Sequence, residues 1–230
     1  MQTFTCKQSK AEHAPALPSR AILVGASGEG KTHLLTELLT NQYRGCFEAI
    51  YLWSPSIHVD PGYDKIKEYV ETKLKPDDQW MFDSYESDEL QDIIDQQASV
   101  IRLMKQEKRR KMYSIAICID DFSDTPEFTR NSRQLWSLFA RGRHMFISTF
   151  VLSQRWRSLA PIVRLNASVV YIHRLRNAKD IIAISEELGG ERGQAEIYDA
   201  IRTAINDRPH SYLMVDLMSK KWMIRMERYV

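Results

Sequence analysis

Residues 20–32 read RAILVGASGEGKT, and the order of residue types in this stretch decides the fold. Ala21, Ile22, Leu23 and Val24 form a short continuous apolar run, the mark of a strand buried on both faces of a parallel sheet. Gly25 ends the run. Gly25, Gly30, Lys31 and Thr32 then fill the pattern G-x-x-x-x-G-K-[ST]. Its glycines let successive N–H groups turn inward on phosphate oxygens, while the lysine reaches the β and γ oxygens and the threonine hydroxyl can ligate Mg²⁺. Leu34, Leu35, Leu38 and Leu39 recur at helical spacing, which predicts a helix over 31–42 with its positive dipole end at the same place. The nucleotide-binding residues are therefore read as Gly25, Ala26, Ser27, Gly28, Glu29, Gly30, Lys31, Thr32 and His33, with ATP and Mg²⁺ as the expected ligands.

Outward from this core, apolar runs at 49–53, 115–119, 145–152 and 169–172 predict further strands. Helical periodicity is expected over 63–72, from Ser87 or Asp88 to about 104, over 127–141, 177–188 and 194–205. A short strand is expected at 80–82, and a terminal hairpin from 212–216 and 221–226. Alternating strands and helices imply an α/β fold, a mostly parallel central sheet with helices on both faces and the hairpin at an edge. Residues 1–19 show no period and end in a proline-containing run, so they are read as an arm that is either without fixed structure or given to a neighbouring subunit, ahead of one domain at 20–230.

Composition narrows the class. Hydrophobic residues make up 43% and charged residues 27% of the chain, which is ordinary for a folded domain and far from disorder. A formal net charge of +2 is too small to argue nucleic-acid binding from charge alone. Cys6, Cys46 and Cys118 lack the paired spacing of a zinc site or a disulfide framework. No apolar stretch approaches the roughly 20 residues that span a bilayer. The expectation is a soluble, intracellular protein.

Two further elements carry chemistry. Asp120 and Asp121 follow the run 115–119, at the carboxyl end of a strand, where open parallel sheets bind ligands. Asp120 is read as the metal-side acid beside Thr32, and Asp121 as the catalytic acid that polarises the attacking water. Gln154, two residues beyond the run 145–152, should stand on the same sheet edge and hold the water or sense the γ-phosphate. Arg141 and Arg143, in Arg-Gly-Arg-His between a helix and that strand, are candidates to neutralise phosphate charge in a neighbouring subunit. A solvated basic loop is the plainer reading of both. The basic run 105–111 is either a solvated helix end or a contact for DNA phosphates.

Together GASGEGKT at 25–32, ICIDD at 117–121 and ARGRHMFISTFVLSQRW at 140–156 resemble the FtsK/HerA superfamily of P-loop motors, and within it the viral genome-packaging ATPases of the poxvirus-like branch. The resemblance covers about residues 20–175, and the third motif is its specific part. It implies that Lys31 and Thr32 bind nucleotide and Mg²⁺, that Asp120 and Asp121 are the paired acids, that Gln154 is the sensor, and that Arg141 or Arg143 acts in trans. Asp121 stands where cellular members usually carry Glu. It further implies a hexameric or pentameric ring that threads double-stranded DNA, capsid components as partners, and a place in the host cytoplasm, a viral factory or the virion.

Two other classes remain open on sequence. A small P-loop kinase would close an arginine-rich lid, for which 174–192 is the candidate. A nucleotide-binding assembly factor would turn over little ATP, although paired acids and Gln154 are more than binding requires. No Asn-Lys-x-Asp guanine-reading motif is present.

Overall fold

The computed structural model describes residues 3–120, 122, 132–190 and 192–230. Strand β1, Arg20–Val24, is buried at every position and lies in the middle of the sheet. It is followed by α1, Lys31–Glu37, which runs on through a wider π-type turn at Leu38–Gln42. Strand β2 is Ala49–Trp53; helix α2, Asp64–Tyr69, follows a tight 3₁₀ turn at Pro61–Tyr63. A two-residue strand β3, Met81–Phe82, then leads into the long helix α3, Ser87–Gln106. The cap position of α3 falls on Glu86, without a side-chain bond, so neither Ser87 nor Asp88 performs the capping expected of them.

Strand β4, Ile115–Ile119, is again wholly buried. Helix α4, Arg133–Arg141, begins later than the expected 127, because Ser132 is extended and caps it, its Oγ accepting from Leu135 N–H at 3.0 Å; residues 127–131 lie outside the described residues. Strand β5, Ile147–Ser153, helix α5, Pro161–Leu165, and strand β6, Val169–Ile172, come next. Helices α6, Ala178–Leu188, and α7, Gln194–Ile205, precede strands β7, Leu213–Asp216, β8, Lys221–Ile224, and β9, Arg228–Tyr229. Helix α5 and strand β9 have no counterpart in the sequence reading, because each is too short to show a period.

Among the described residues the strands form one sheet in the order β3-β2-β4-β5-β1-β6-β7-β8-β9. The first six run parallel and the last three are antiparallel. The phosphate-loop strand β1 and the acidic strand β4 are thus separated by β5, with Val24 opposite Ser153 and Ile119 opposite Val151. Three loops that carry polar residues therefore leave the sheet side by side on one edge.

Each face of the sheet carries its own apolar core. One is built on Ile22, Val24, Ile117, Leu138, Ile184 and Ile201, and the other on Leu23, Leu35, Leu38, Tyr63, Cys118 and Phe150. Alternate residues of β1 and β4 serve opposite faces, as the period-2 geometry of a strand requires. The stacked pair Trp53 and Phe82, with ring centroids 4.3 Å apart, fastens the short β3 to its neighbour.

The amino-terminal segment departs from the expectation of an unstructured or donated arm. Thr5 N–H donates to Arg110 O at 3.0 Å, Met112 N–H donates to Thr5 O at 2.7 Å, and the Tyr43 hydroxyl donates to Pro15 O at 2.9 Å. Cys6 and Leu17 are buried in the second core. The segment holds to its own domain because these two apolar side chains and a set of backbone donors find partners there, none of which has a sequence period. All three cysteines are free and buried, and among the described residues no helix is long and apolar enough to cross a membrane.

Candidate functional site

The 25–30 loop owes its shape to two glycines in particular. Gly30 has φ +91° and caps α1 from the left-handed region, which a side chain would strain. Gly25 is required by space: a Cβ there would stand 2.5 Å from His173 Cβ. The imidazole of His173 lies at the end of β6, buried against the base of the loop.

Lys31 is buried, and its ammonium donates to Gly25 O at 2.9 Å and Ala26 O at 3.0 Å. The amine is held over the loop at the place where phosphate oxygens would compete for it. Thr32 Oγ1 donates to Asp120 Oδ2 at 2.9 Å, which joins the α1 start to the end of β4 across 88 positions of sequence. The two residues read as metal-side groups are thus in hydrogen-bond contact.

Asp120 has a second partner that the sequence did not reveal. The Tyr63 hydroxyl donates to the same Oδ2 at 2.7 Å and lies 2.9 Å from Ser54 Oγ. Burial first, and then the Asp120 charge, push the phenol well above its ordinary pKa, so Tyr63 stays protonated and remains a donor. Ser54 follows β2, and Ser56 Oγ lies 3.1 Å from Ser54 Oγ. Only the termination of β2 at Ser54-Pro55 could have drawn attention to this chain of hydroxyls.

These groups face a cleft of about 270 Å³ lined by Ser27, Lys31, Thr32, Tyr63, Asp120 and Gln154 among others. Gln154 stands one residue beyond β5, next to Gly25, whose N–H donates to Ser153 O at 3.1 Å. The turn that carries it is tied down: Arg157 N–H donates to Asp180 Oδ1 at 3.1 Å, and Arg155 Nε is 3.5 Å from Asp180 Oδ2. Asp180 is buried at the start of α6.

Of the sequence-derived candidates, Ser27, Gly28, Gly30, Lys31, Thr32, His33, Asp120 and Gln154 gather at this cleft. Asp121 lies outside the described residues. Arg141 and Arg143 do not join it. They end α4 and open the turn before β5, hence on the opposite edge of the sheet, and both are exposed. At about 3.3 Å per residue, the seven residues of β5 put roughly 20 Å between them and Gln154. The basic run 105–111 lies on that far edge too, since α3 returns from the ligand edge to the start of β4, and every one of its residues is exposed.

The donor set fits Mg²⁺, a hard cation that takes oxygen ligands and keeps several waters. Thr32 and Asp120 place a hydroxyl and a carboxylate oxygen at 2.9 Å, beside the lysine. A bound Mg²⁺ would offset charge on the β and γ phosphates. Among the described residues there is no group of three or more His, Cys, Asp or Glu that would hold a metal without such a ligand.

Solved structures share the fold at low identity. The genome-packaging NTPase B204 of Sulfolobus turreted icosahedral virus 2, in complex with AMPPCP, superposes with a TM-score of 0.61 at 17% identity over 90% of this chain and 97% of that one. The DNA-packaging ATPase B204 of Sulfolobus turreted icosahedral virus gives a TM-score of 0.59 at 16% identity over 90% and 96%. The cytoplasmic domain of EssC gives 0.52 at 14% identity, over 80% of this chain and 39% of that one. No curated protein matches the chain. The family model described as Poxvirus A32 protein matches residues 7–218, a span that takes in the phosphate loop, the acidic strand, Gln154 and the start of the hairpin, and the chain therefore belongs to the poxvirus A32 protein family.

Proposed function

We propose that this protein is an ATP-hydrolysing motor that moves double-stranded DNA into a viral capsid as a homo-oligomeric ring. The observation that carries the reading is the convergence of Lys31, Thr32, Asp120 and Gln154 on one cleft. The B204 structures, described as packaging enzymes and including nucleotide-analogue complexes, support it.

In this reading Lys31 leaves its two loop carbonyls for the β and γ phosphate oxygens, at little cost because one set of charge-assisted bonds replaces another. Tyr63 and Thr32 hold Asp120 in a single orientation. Gln154, whose amide can both donate and accept, positions the attacking water, and Asp121 draws its proton. Arg141 and Arg143, remote from their own cleft, serve the neighbouring subunit's cleft when chains pack edge to edge. The exposed run 105–111 offers cations to the DNA backbone, multiplied by the ring. Against the kinase alternative, the middle of its candidate lid at 174–192 is the helix Ala178–Leu188, whose Ile184 and Leu188 are buried in the core.

The test is ATP turnover with and without duplex DNA over a range of protein concentrations. Turnover should rise with both and vanish in Lys31→Ala and Asp121→Asn. Turnover indifferent to DNA and to concentration would remove the motor reading.

A further inference from the structure

The loop that leaves β2 reaches the phosphate cleft too, and it brings a side chain to which no role has been given. Ser56, Asp60 and Tyr63 all line that cleft. Tyr63 is the donor to Asp120. Asp60 is a further carboxylate beside Thr32 and Asp120, and among the described residues it has no ion-pair partner.

Its position is fixed from three sides. Asp60 Oδ1 accepts from Gly62 N–H at 2.7 Å and caps the 3₁₀ turn Pro61–Tyr63. Thr36 Oγ1, on α1, shares its proton between Gly62 O at 3.1 Å and Thr32 O at 3.0 Å, which ties the turn to the helix that carries Thr32. Tyr63 then fastens the end of the turn to Asp120 at 2.7 Å. The approach is close: a Cβ at Gly62 would stand 3.0 Å from Asp60 Oδ1 and 3.3 Å from Thr32 Cγ2. Little more than a methyl group separates the carboxylate from the Thr32 side chain.

Capping accounts for one oxygen of Asp60 and not for its charge, since Asn and Ser cap a helical turn about as well. An acid here sits near a second carboxylate and faces a cleft built for phosphates, so in the free protein its charge is opposed by like charge. A divalent cation in the cleft reverses that sign.

We propose that Asp60 is an additional carboxylate of the Mg²⁺ site, a positioning residue that acts through its second oxygen on a water of the ion's shell. The inference rests on the nucleotide-binding reading of the cleft. Mg²⁺ keeps several waters and is held by one or two carboxylates together with phosphate oxygens, so an acid set beyond Thr32 and Asp120 meets the ion through one of those waters. The turn after β2 thereby serves the site twice: Tyr63 orients Asp120, and Asp60 orients the shell around the ion.

Calorimetric titration of the full chain with a non-hydrolysable ATP analogue, once in Mg²⁺ and once in EDTA, separates the charge of Asp60 from its cap. Asp60→Asn keeps the cap and should melt as wild type does; Asp60→Ser is a second neutral variant that also caps. Each should weaken the analogue about tenfold in Mg²⁺, the lower end of what outer partners of a metal site contribute. In EDTA each should bind it as tightly as wild type or more tightly, because a repelling charge has gone. Lys31→Ala should weaken binding in both conditions. Neutral variants that match wild type in Mg²⁺, or that lose affinity equally with and without the ion, would overturn the role of Asp60 and leave the phosphate cleft standing, and so would a wild-type affinity that Mg²⁺ does not change. A wild-type chain that binds the analogue in neither condition would remove the nucleotide reading and this inference with it.

Discussion

The Tyr63 hydroxyl donates to Asp120 Oδ2 at 2.7 Å, the same oxygen that accepts from Thr32 at 2.9 Å. A hydroxyl from the turn before α2 and one from the start of α1 therefore set the orientation of the acid at the end of β4 before any nucleotide arrives. Preorganisation of this kind lowers the cost of assembling a charged site.

Tyr63→Phe removes one of the two donors and leaves the ring in its apolar surroundings. A hydrogen bond to a charged group is worth about 1.5–3 kcal/mol, so ATP turnover should fall at least about tenfold, with the Mg²⁺ dependence shifted to higher concentration. Turnover and Mg²⁺ dependence equal to wild type would show that Thr32 alone suffices.

Gly25→Ala should destabilise the protein by about 1–3 kcal/mol, the range for forcing a methyl group into a packed interior, because its Cβ meets His173 Cβ at 2.5 Å. The collision is with Cβ, so His173→Gly in the same chain should recover part of the loss. Urea unfolding of both variants measures it, and no recovery in the double variant would place the strain elsewhere.

Asp180→Ala leaves the Arg157 N–H without its acceptor and releases Arg155. A loss of about 0.5–1.5 kcal/mol of stability is expected for a part-buried hydrogen bond removed. The turn that carries Gln154 loosens with it. Turnover should therefore fall several-fold while affinity for a non-hydrolysable ATP analogue stays close to wild type, since Lys31 and Thr32 are untouched; a parallel loss of affinity would contradict this separation.

His173 gives the stability a pH dependence of known sign. Burial, followed by the nearby Lys31 charge, pushes its pKa from 6.5 down to about 3. The unfolded chain therefore binds the proton that the folded chain refuses. Stability is full above pH 6.5 and declines as the pH falls toward 3, by at most about 1.4 kcal/mol per unit. His173→Leu should flatten the slope between pH 7 and 5 in urea titrations, and an unchanged slope would assign it to other groups.

Much of the site was legible from residue order because its signals are local. The apolar run of β1, the glycine-rich turn and the leucine stripe of α1 lie within twenty positions, and the motif places Lys31 and Thr32 without reference to the rest of the chain. Asp120 and Gln154 could be set on the ligand edge because a buried parallel strand announces its own carboxyl end. The sequence read alone determined a mostly parallel sheet and the edge on which the candidate site lies.

Only the tertiary structure decided which side chains from other segments meet there. Tyr63 and Asp120 are 57 positions apart, and no period or motif joins them; they meet because the turn before α2 packs its tyrosine into the second core. Arg141 and Arg143 stand close to Gln154 in sequence yet across the sheet from it, since a strand moves the chain from one edge to the other. The Arg225–Met226 pair reads as the continuation of a strand, yet it is the two-residue turn closed by Glu227 N–H on Ile224 O at 2.9 Å, which returns the chain along β8 as β9. Local propensity selects elements. Packing between elements far apart in the chain, which depends on surfaces that exist only after the sheet has formed, selects the partners of each functional group.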